Sequence, residues 1–149
     1  MVSMEVNLAG IEDLDEIAKL FDCYRIFYQQ PSDLEAARNF LQQRFDRGDA
    51  RIFVARIDAQ IVGFTQLYPS FSSVAMKPIW ILNDLFVSKA YRNRGVARLL
   101  MGAMENFGRE TAAIRIILST QVANTAARSL YRSLGYIKNE EFHQYTLSL

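Results

Sequence analysis

Hydrophobic residues at the start of the chain recur first at strand spacing and then at helix spacing. Met4–Leu8 alternates weakly between apolar and polar residues, which predicts a first strand. The apolar residues that follow lie three and four positions apart, on one face of a predicted first helix: Ile11, Leu14, Ile17, Ala18, Phe21 and Tyr24. Ser32 and Glu35 have the spacing of a capping box, so a second helix is predicted from there to Gly48.

The middle of the chain has the composition of β-strands. Arg51–Ile57 and residues 61–68 are rich in β-branched and aromatic residues and are joined by a short polar stretch, which predicts a hairpin. Pro69 and Pro78 bracket a serine-containing stretch that we expect to be a loop. Residues 80–87 are almost continuously apolar and predict a central strand covered on both faces, interrupted by Asn83 and Asp84.

The last third of the chain alternates between helix and strand patterns. A helical face repeats from Val96 to Phe107, and residues 114–120 predict another strand. Asn124 is placed to cap a further helix that ends before Gly135, and residues 137–147 predict one or two final strands. We expect one domain over residues 1–149, since no linker, repeat or low-complexity tract interrupts the pattern.

Composition and charge exclude several classes of function. With 17 basic and 16 acidic side chains the net charge is +1, so the broad basic surface that nucleic acid binding needs is not expected. Cys23 is the sole cysteine, which rules out an internal disulfide and a cysteine-rich zinc site, and no metal site is predicted. No apolar run approaches a membrane span or a signal peptide. These observations predict a cytoplasmic protein that does not bind membranes.

The segment DLFVSKAYRNRGVARLL, residues 84–100, carries the most chemical information. An apolar strand leads into a basic loop with one glycine, and the loop opens into a helix. Helix N-termini bind anions through free backbone N–H groups, so this segment predicts a pyrophosphate site with Gly95 at close approach. Arg92, Arg94 and also Lys89 or Arg98 would supply charge. The plain alternative is a solvated turn.

Two motifs decide between these interpretations. Arg92, Gly95 and Ala97 resemble motif A of the GNAT superfamily of acetyltransferases. Further along the chain, motif B of the same superfamily is resembled by six residues: Asn124, Ala127, Leu130, Tyr131, Gly135 and Tyr136. The resemblance implies an α/β (α+β) GNAT fold, with a mixed, mostly antiparallel sheet of six to seven strands, four helices and splayed central strands.

The same resemblance implies acetyl-CoA as the acetyl donor. Leu85, Phe86 and Val87 would pair with the pantetheine arm as an added strand would, and the Val87 N–H would stabilise charge on the thioester carbonyl. The implied coenzyme-binding residues continue through the loop and the helix start: Arg92, Asn93, Arg94, Gly95, Val96, Ala97 and Arg98. Asn124 would bond pantetheine or cap its helix. Tyr131 would protonate the leaving thiolate, the alternative being a core tyrosine.

The implied mechanism lacks the obvious general base. The stretch ILNDLFV resembles the LEDFFV strand of diamine and polyamine acetyltransferases, in which a glutamate occupies the position of Asn83. An amide cannot accept the proton, so Asn83 would orient the amine or a water, with Asp84 in a structural role. Because adjacent strand residues face opposite ways, at most one of the two is expected to face the substrate.

The acceptor side is predicted to be aromatic. Residues of the first interhelical segment, the third strand and its loop, and the C-terminal strands could contact an amine: Tyr24, Phe27, Tyr28, Tyr68, Phe71, Phe142 and Tyr145. They could equally seal a core edge. We expect acetyl transfer to the primary amine of a small molecule by direct attack in a ternary complex. A protein lysine or N-terminal acetyltransferase and a non-catalytic CoA sensor are the alternatives, and homodimerisation stays open.

Overall fold

The computed structural model describes residues 3–149, which form two compact units. The first unit ends at Ser119 and the second is Thr120–Leu149. The elements of the first unit follow one another as β1 (Met4–Leu8), α1 (Leu14–Phe27), α2 (Leu34–Arg47), β2 (Arg51–Ile57), β3 (Gln60–Ser72), β4 (Lys77–Val87), α3 (Val96–Glu110) and β5 (Ile116–Leu118). The second unit contains α4 (Thr125–Ser133). The predicted α/β class and its four helices are confirmed.

The strands form a mixed sheet in the order β1-β2-β3-β4-β5. The first four strands are antiparallel neighbours, and β5 is parallel to β4. The pairing of β4 with β5 covers only Trp80–Leu82 of β4 against Ile116–Leu118. The C-terminal half of β4 therefore continues beyond its contact with β5, as the predicted splay of the central strands requires.

Helices α1 and α2 cover one face of the sheet and α3 covers the other. The first face is packed by apolar residues of both helices and of strands β2 and β3: Leu14, Ile17, Ala18, Phe21, Ala37, Leu41, Ile52, Val54, Ile61 and Phe64. On the second face Phe107 of α3 contacts Trp80 and Phe53, with ring centroids 5.3 and 5.4 Å apart. Because both faces of β3 and β4 are buried, the sequences of these strands are nearly continuous apolar runs.

Gly63 lets α3 lie close to the sheet. A Cβ at this position would be 3.1 Å from a side-chain carbon of Val96, 3.2 Å from the carbonyl oxygen of Phe86 and 3.3 Å from Leu100. One of these three atoms belongs to the backbone and cannot rotate away. The glycine thus fixes how near the first turn of α3 comes to the ends of β3 and β4.

Asp22 ties α1 to the start of α2. Its Oδ2 accepts from Ser32 Oγ at 2.6 Å and its Oδ1 accepts from the Asp33 N–H at 2.8 Å. These hydrogen bonds lower the pKa of the Asp22 carboxyl, since they favour its charged form. The predicted capping box of Ser32 with Glu35 is wrong by one residue, because Ser32 bonds Asp22 and Asp33 caps α2 through the Ala36 N–H.

The predicted loop between Pro69 and Pro78 is largely strand. β3 runs to Ser72 and β4 starts at Lys77, so the connection shrinks to residues 73–76. Pro69 pairs with Trp80 of β4, whereas the pairing of β3 with β2 stops at Leu67, opposite Arg51. Proline lacks an N–H, and it is accommodated here because β3 has no partner on its β2 side at that point.

The second unit contains α4 and an extended C-terminal segment. Asn124 Oδ1 accepts from the Ala127 N–H at 3.1 Å, which confirms the predicted helix cap. Residues 137–149 form no strand, and Ile137, Phe142 and Tyr145 are exposed by 91%, 76% and 89%. The predicted C-terminal strands are wrong, and the sheet has five strands instead of six or seven. Apolar residues alone do not make a strand, since each strand needs a neighbour to receive its backbone hydrogen bonds.

None of the helices within residues 3–149 combines the length and the apolar character that crossing a membrane requires.

Candidate active site

A β-bulge distorts β4 at Asn83. Gln66 of β3 is opposite Asp84, whereas the next residue, Leu67, is opposite Leu82, so Asn83 has no partner of its own. A bulge re-aims the side chains around it. Asn83 is exposed and Asp84 is buried, yet Asn83 Nδ2 donates to Asp84 Oδ1 at 3.2 Å. The bulge thus brings the two side chains into contact although one is exposed and the other buried, and the expectation that at most one of them faces the substrate stays a prediction.

The strand that follows the bulge has an open backbone edge. The Ser88 N–H donates to the Val62 carbonyl at 2.7 Å, and Val87 is opposite Gly63. Because alternate residues of an antiparallel strand direct their N–H groups to opposite sides, the N–H groups of Leu85 and Val87 point away from β3. β5 ends at Leu118, opposite Leu82. The N–H groups of Leu85 and Val87 therefore lie on the side that β5 leaves uncovered.

A tight loop connects this edge to α3. Two of its residues have left-handed backbone conformations, Asn93 with φ of 62° and Gly95 with φ of 82°. Apart from its chain neighbours, no atom of residues 3–149 lies within 4 Å of the place where a Cβ of Gly95 would stand. The first N–H groups of α3 have no acceptor inside the helix, and the partial positive charge of the helix end lies at the same place. This geometry fits a phosphate group held by main-chain donors.

The arginines of the loop differ in their contacts. Arg92 Nε donates to the Val87 carbonyl at 2.9 Å, and its guanidinium lies over the rings of Phe86 and Phe27, 5.3 and 5.7 Å from their centroids. Arg92 therefore braces the end of β4 while it keeps its charge at the loop. Arg94 lies 5.4 Å from the ring centroid of Tyr91. Both remain exposed and able to contact an anion.

A buried polar network lies beside the bulge on the face covered by α1 and α2. Gln66 Nε2 donates to Asp84 Oδ2 at 2.8 Å and to Tyr68 Oη at 3.3 Å. Thr65 Oγ1 donates to the Asp84 carbonyl at 2.8 Å. Burial raises the pKa of the Tyr68 phenol to about 12, and the charge of Asp84 adds to the rise. Gln66 Oε1 is buried and has no hydrogen-bond partner within the described part of the chain.

An aromatic cluster adjoins this network. Phe86 is two residues from Asp84 on the same face of β4 and contacts Tyr24 and Phe27 of α1, with centroids 5.7 and 6.2 Å apart. Tyr28 contacts both Tyr24 and Phe27. Three of the seven aromatic residues predicted for the acceptor side thus form one cluster.

The other four predicted aromatic residues do not belong to this cluster. Tyr68 belongs to the polar network, and Phe71 is 76% exposed near the end of β3. Phe142 and Tyr145 lie on the extended segment of the second unit, where both are exposed.

The second unit carries the two remaining predicted site residues. Asn124 uses its Oδ1 to cap α4, so the cap does not engage its Nδ2. Tyr131 is buried, and its ring centroid lies 6.0 Å from that of Tyr136.

Sequence reasoning overlooked the partners of Asp84. Gln66 and Thr65 interrupt the apolar run IVGFTQLY. A polar pair in a strand that is otherwise apolar on both faces predicts a buried hydrogen-bond network, because buried polar groups need partners. That signal was present in the sequence.

Comparison with known proteins places the chain in a family. The sequence model of the acetyltransferase (GNAT) family matches residues 14–136. An uncharacterized N-acetyltransferase of Bacillus subtilis (strain 168), YhfO, is 41% identical over 146 residues, which cover 98% of each chain. A crystal structure of a probable acetyltransferase is also 41% identical, with a TM-score of 0.93 over 97% of each chain.

A more distant solved structure shares the fold. The aminoglycoside N-acetyltransferase AAC(6')-Iy in complex with CoA is 20% identical, with a TM-score of 0.81 over 100% of this chain and 97% of that one. The predicted GNAT fold is confirmed. On the family match and on the 41% identity to a full-length relative, the chain belongs to the acetyltransferase (GNAT) family and is an acetyltransferase.

Proposed function

We propose that this acetyltransferase moves an acetyl group from acetyl-CoA to the primary amine of a small molecule, by direct attack of the amine in a ternary complex. The observation that carries the proposal is the open edge of β4, which leads directly into the N-terminus of α3. An extended ligand with a phosphate at one end matches this arrangement of donors.

The first unit would bind the coenzyme through its backbone. Leu85 and Val87 offer their N–H groups along the open edge, where a pantetheine arm can pair as a strand does. The loop and the first turn of α3, residues 92–98, offer N–H groups and arginine charge to the pyrophosphate. Bound acetyl-CoA supplies the activated acetyl group. The CoA complex of AAC(6')-Iy, which has the same fold, supports this assignment.

The Val87 N–H is the proposed donor to the thioester carbonyl. It lies at the end of the open edge, and its direction is fixed on both sides. Ser88 bonds β3 immediately after it, and Arg92 holds the Val87 carbonyl at 2.9 Å. A donor that needs no rearrangement stabilises developing negative charge most effectively.

The roles of Asn124 and Tyr131 rest on their match to the second family motif. Asn124 would contact the pantetheine arm through its Nδ2 while its Oδ1 caps α4. Tyr131 would donate its phenolic proton to the leaving thiolate. Burial of Tyr131 is compatible with this role and with packing alone.

The acceptor is proposed to be a small molecule with an apolar part. The cluster of Tyr24, Phe27, Tyr28 and Phe86 presents ring faces that can contact a cationic amine and its carbon skeleton. The aminoglycoside N-acetyltransferase AAC(6')-Iy is an example of a small-molecule acetyltransferase with this fold.

Thiol release tests the proposal. The protein is mixed with acetyl-CoA and a panel that contains an aliphatic monoamine, an arylalkylamine, a diamine, an aminoglycoside and a lysine peptide. We expect thiol release with at least one small amine and a lower kcat/KM for the peptide. Thiol release with the peptide alone would support a protein acetyltransferase, and CoA binding without any thiol release would support a sensor.

Tyr131→Phe tests the acid role in the same assay. We expect a lower kcat, by about 10-fold or more, at an unchanged Kd for CoA, because the variant loses only the proton donor. Tyr136→Phe is the matched control, since it removes the hydroxyl of the neighbouring ring. Equal kcat values for wild type and Tyr131→Phe would remove Tyr131 from the acid role.

A further inference from the structure

We propose that the guanidinium of Arg92 weakens the binding of cationic amines to the aromatic cluster until the phosphates of CoA neutralise its charge. The inference rests on the proposed function, because it concerns the regulation of that same site. It is carried by the position of one exposed arginine, which contacts both the end of β4 and the rings of Phe27 and Phe86.

Arg92 belongs to the coenzyme loop by sequence and to the aromatic cluster by contact. It lies three residues before Gly95, the residue that precedes α3. Its Nε donates to the Val87 carbonyl at 2.9 Å, which fixes where the guanidinium lies. The guanidinium carbon is 5.3 Å from the ring centroid of Phe86 and 5.7 Å from that of Phe27, within the range of a cation–π contact. A cationic amine that contacts these two rings therefore meets a cation that is already there.

The charge of Arg92 is not offset by a carboxylate. None of the ion pairs within residues 3–149 includes Arg92. The sequence has no aspartate or glutamate from residue 85 to residue 104, and none from residue 23 to residue 32 of α1 and the segment after it. Asp84, which comes just before the first of these stretches, is buried, and its carboxylate accepts from two amide side chains.

An ammonium group and a guanidinium on the same two rings repel each other. Phe27 is 48% exposed, so solvent screens this repulsion without removing it. Two unit charges a few ångströms apart at such a surface should change a Kd about fivefold, which corresponds to about 1 kcal/mol. The effect applies to a cationic amine, and a neutral molecule of the same shape should not experience it.

Coenzyme binding would change the charge beside the rings. The pyrophosphate of CoA is anionic, and its proposed place is the loop that starts at Arg92 and the first turn of α3. A guanidinium binds phosphate oxygens through charge-assisted hydrogen bonds. An anion held there offsets the charge of Arg92, so the amine then binds more tightly. By linkage, the amine strengthens CoA binding by the same factor.

The neighbouring arginine of the loop provides an internal comparison. Arg94 is also exposed, but its guanidinium lies 5.4 Å from the ring centroid of Tyr91, which is outside the aromatic cluster. Arg94 can therefore attract phosphate without placing charge on the rings of Phe27 and Phe86. Both arginines should contribute to CoA affinity, and only Arg92 should connect CoA binding with amine binding.

The first test measures binding and needs no reaction. 2-Phenylethylamine, a cation at neutral pH, and the neutral 2-phenylethanol are titrated into the wild-type protein with and without saturating CoA. We expect CoA to lower the Kd of the amine about fivefold or more and to change that of the alcohol less than about twofold. Equal effects of CoA on the two ligands, or no binding of the amine to the CoA complex, would overturn the proposal.

Arg92→Met removes the charge and keeps much of the length of the side chain. Without CoA the variant should bind the amine about fivefold more tightly than wild type, and CoA should change this Kd less than about twofold. Arg92→Lys keeps the charge and should retain the dependence on CoA. An Arg92→Met variant in which CoA still strengthens amine binding about fivefold would contradict the role of Arg92.

Arg94→Met is the matched control for the loss of one loop charge. It should weaken CoA binding, but once CoA is saturating the Kd of the amine should fall as it does in wild type. Loss of this fall in Arg94→Met would show that any loop charge has the same effect, which contradicts a specific role for Arg92.

The reciprocal measurement uses the wild type alone, so it decides the matter even if Arg92→Met does not fold. The Kd for CoA is measured with and without saturating 2-phenylethylamine, and it should fall by the same factor as the Kd of the amine. With saturating 2-phenylethanol it should stay constant. A CoA affinity that does not respond to the amine would overturn the proposal.

Thiol release separates this inference from the proposed function. If the protein acetylates a small amine but binds it equally well with and without CoA, the proposed function stands and the role of Arg92 is rejected. If CoA strengthens amine binding as expected but no small amine releases thiol, the small-molecule acceptor is rejected and the charge effect of Arg92 stands.

Discussion

Gly95 has a backbone conformation that other residues rarely adopt, at the point where the loop becomes α3. Its φ is 82°, and the space around its missing Cβ is open. Gly48 shares both properties, with φ of 62° at the C-terminus of α2. The two glycines therefore differ in location and little else, which allows strain and ligand contact to be separated.

Alanine substitutions at these two glycines test the anion site. Both Gly95→Ala and Gly48→Ala should lose about 1–2 kcal/mol of stability from the left-handed conformation. Only Gly95→Ala should weaken CoA binding, by about tenfold, because its methyl group occupies the space proposed for the phosphate. Thermal unfolding and calorimetric titration measure the two effects. Equal CoA affinity of the two variants would contradict the placement.

Asp22 should make stability depend on acid pH. Hydrogen bonds from Ser32 and Asp33 lower its pKa below the ordinary value of 3.8, so its stabilising effect is complete above that pH. The effect is lost as pH falls through the lowered value of the folded state. Asp22→Asn should cost about 1–3 kcal/mol at pH 7, and its difference from wild type should shrink below pH 3.8.

Urea unfolding at several pH values measures this difference. Asp46→Asn, on the exposed surface of α2, is the control and should lie within about 0.5 kcal/mol of wild type. A difference between Asp22→Asn and wild type that does not vary between pH 3 and pH 7 would contradict the assigned cause.

Residue identities predicted the site only in part. Gly95 and Asn124 precede α3 and α4 as predicted, because each occupies a helix cap that its own chemistry specifies. The contact between Asn83 and Asp84 could not be predicted, because it depends on a bulge that cannot be recognised from the residues that form it. Their roles in catalysis stay predictions.

At the scale of elements, the contact between α3 and the sheet decides where the helix N-terminus lies. Gly63 makes this contact close, with Val96 and Leu100 packed over it. Both are among the buried residues of the first turns of α3. The geometry of the proposed anion site therefore depends on a residue of β3 that would not itself touch a ligand.

Gly63→Ala tests this dependence. The added methyl group meets a carbonyl oxygen that cannot move aside, so we expect a loss of about 1–3 kcal/mol of stability from overpacking. The start of α3 should shift, and CoA affinity should fall with it. Gly102→Ala, on α3 with nothing within 4 Å of its Cβ, should keep wild-type affinity. Unfolding curves and CoA titrations of both variants decide the matter.

Element boundaries were predicted well where local chemistry sets them. β2 has its predicted range, and Asp58 and Ala59 form the turn after it with φ of 51° and 67°. The C-terminal strands were not predictable in the same way. Residues 137–147 have apolar composition, but pairing depends on a partner elsewhere in the chain, and composition does not report it.

At the scale of the whole molecule, charge is balanced and only its local distribution can attract an anion. The net charge is +1, whereas Lys89, Arg92, Arg94 and Arg98 lie in one exposed stretch at the start of α3. Surface charges act over about 10 Å at 0.1 M salt. Attraction of CoA should therefore come from this stretch and not from the molecule as a whole.

Salt dependence of CoA binding tests this view. We expect the Kd for CoA to rise about threefold or more between 50 and 500 mM salt, and that for pantetheine, which has no phosphate, to stay constant. Arg94→Ala should reduce the salt dependence. Arg47→Ala, at the end of α2, should leave it as in wild type. Equal salt dependence for CoA and pantetheine would contradict a local electrostatic contribution.

The uncovered edge of β4 has a consequence for amide hydrogen exchange. Phe86 gives its N–H to β3, while Leu85 and Val87 direct theirs to the open side. Without ligand, exchange along this strand should alternate residue by residue, fast at positions 85 and 87 and slow at 86. Saturation with CoA should lower the exchange rates of the two fast amides and leave that of the amide of residue 86 almost unchanged. The ligand would then protect backbone amides as a neighbouring strand does.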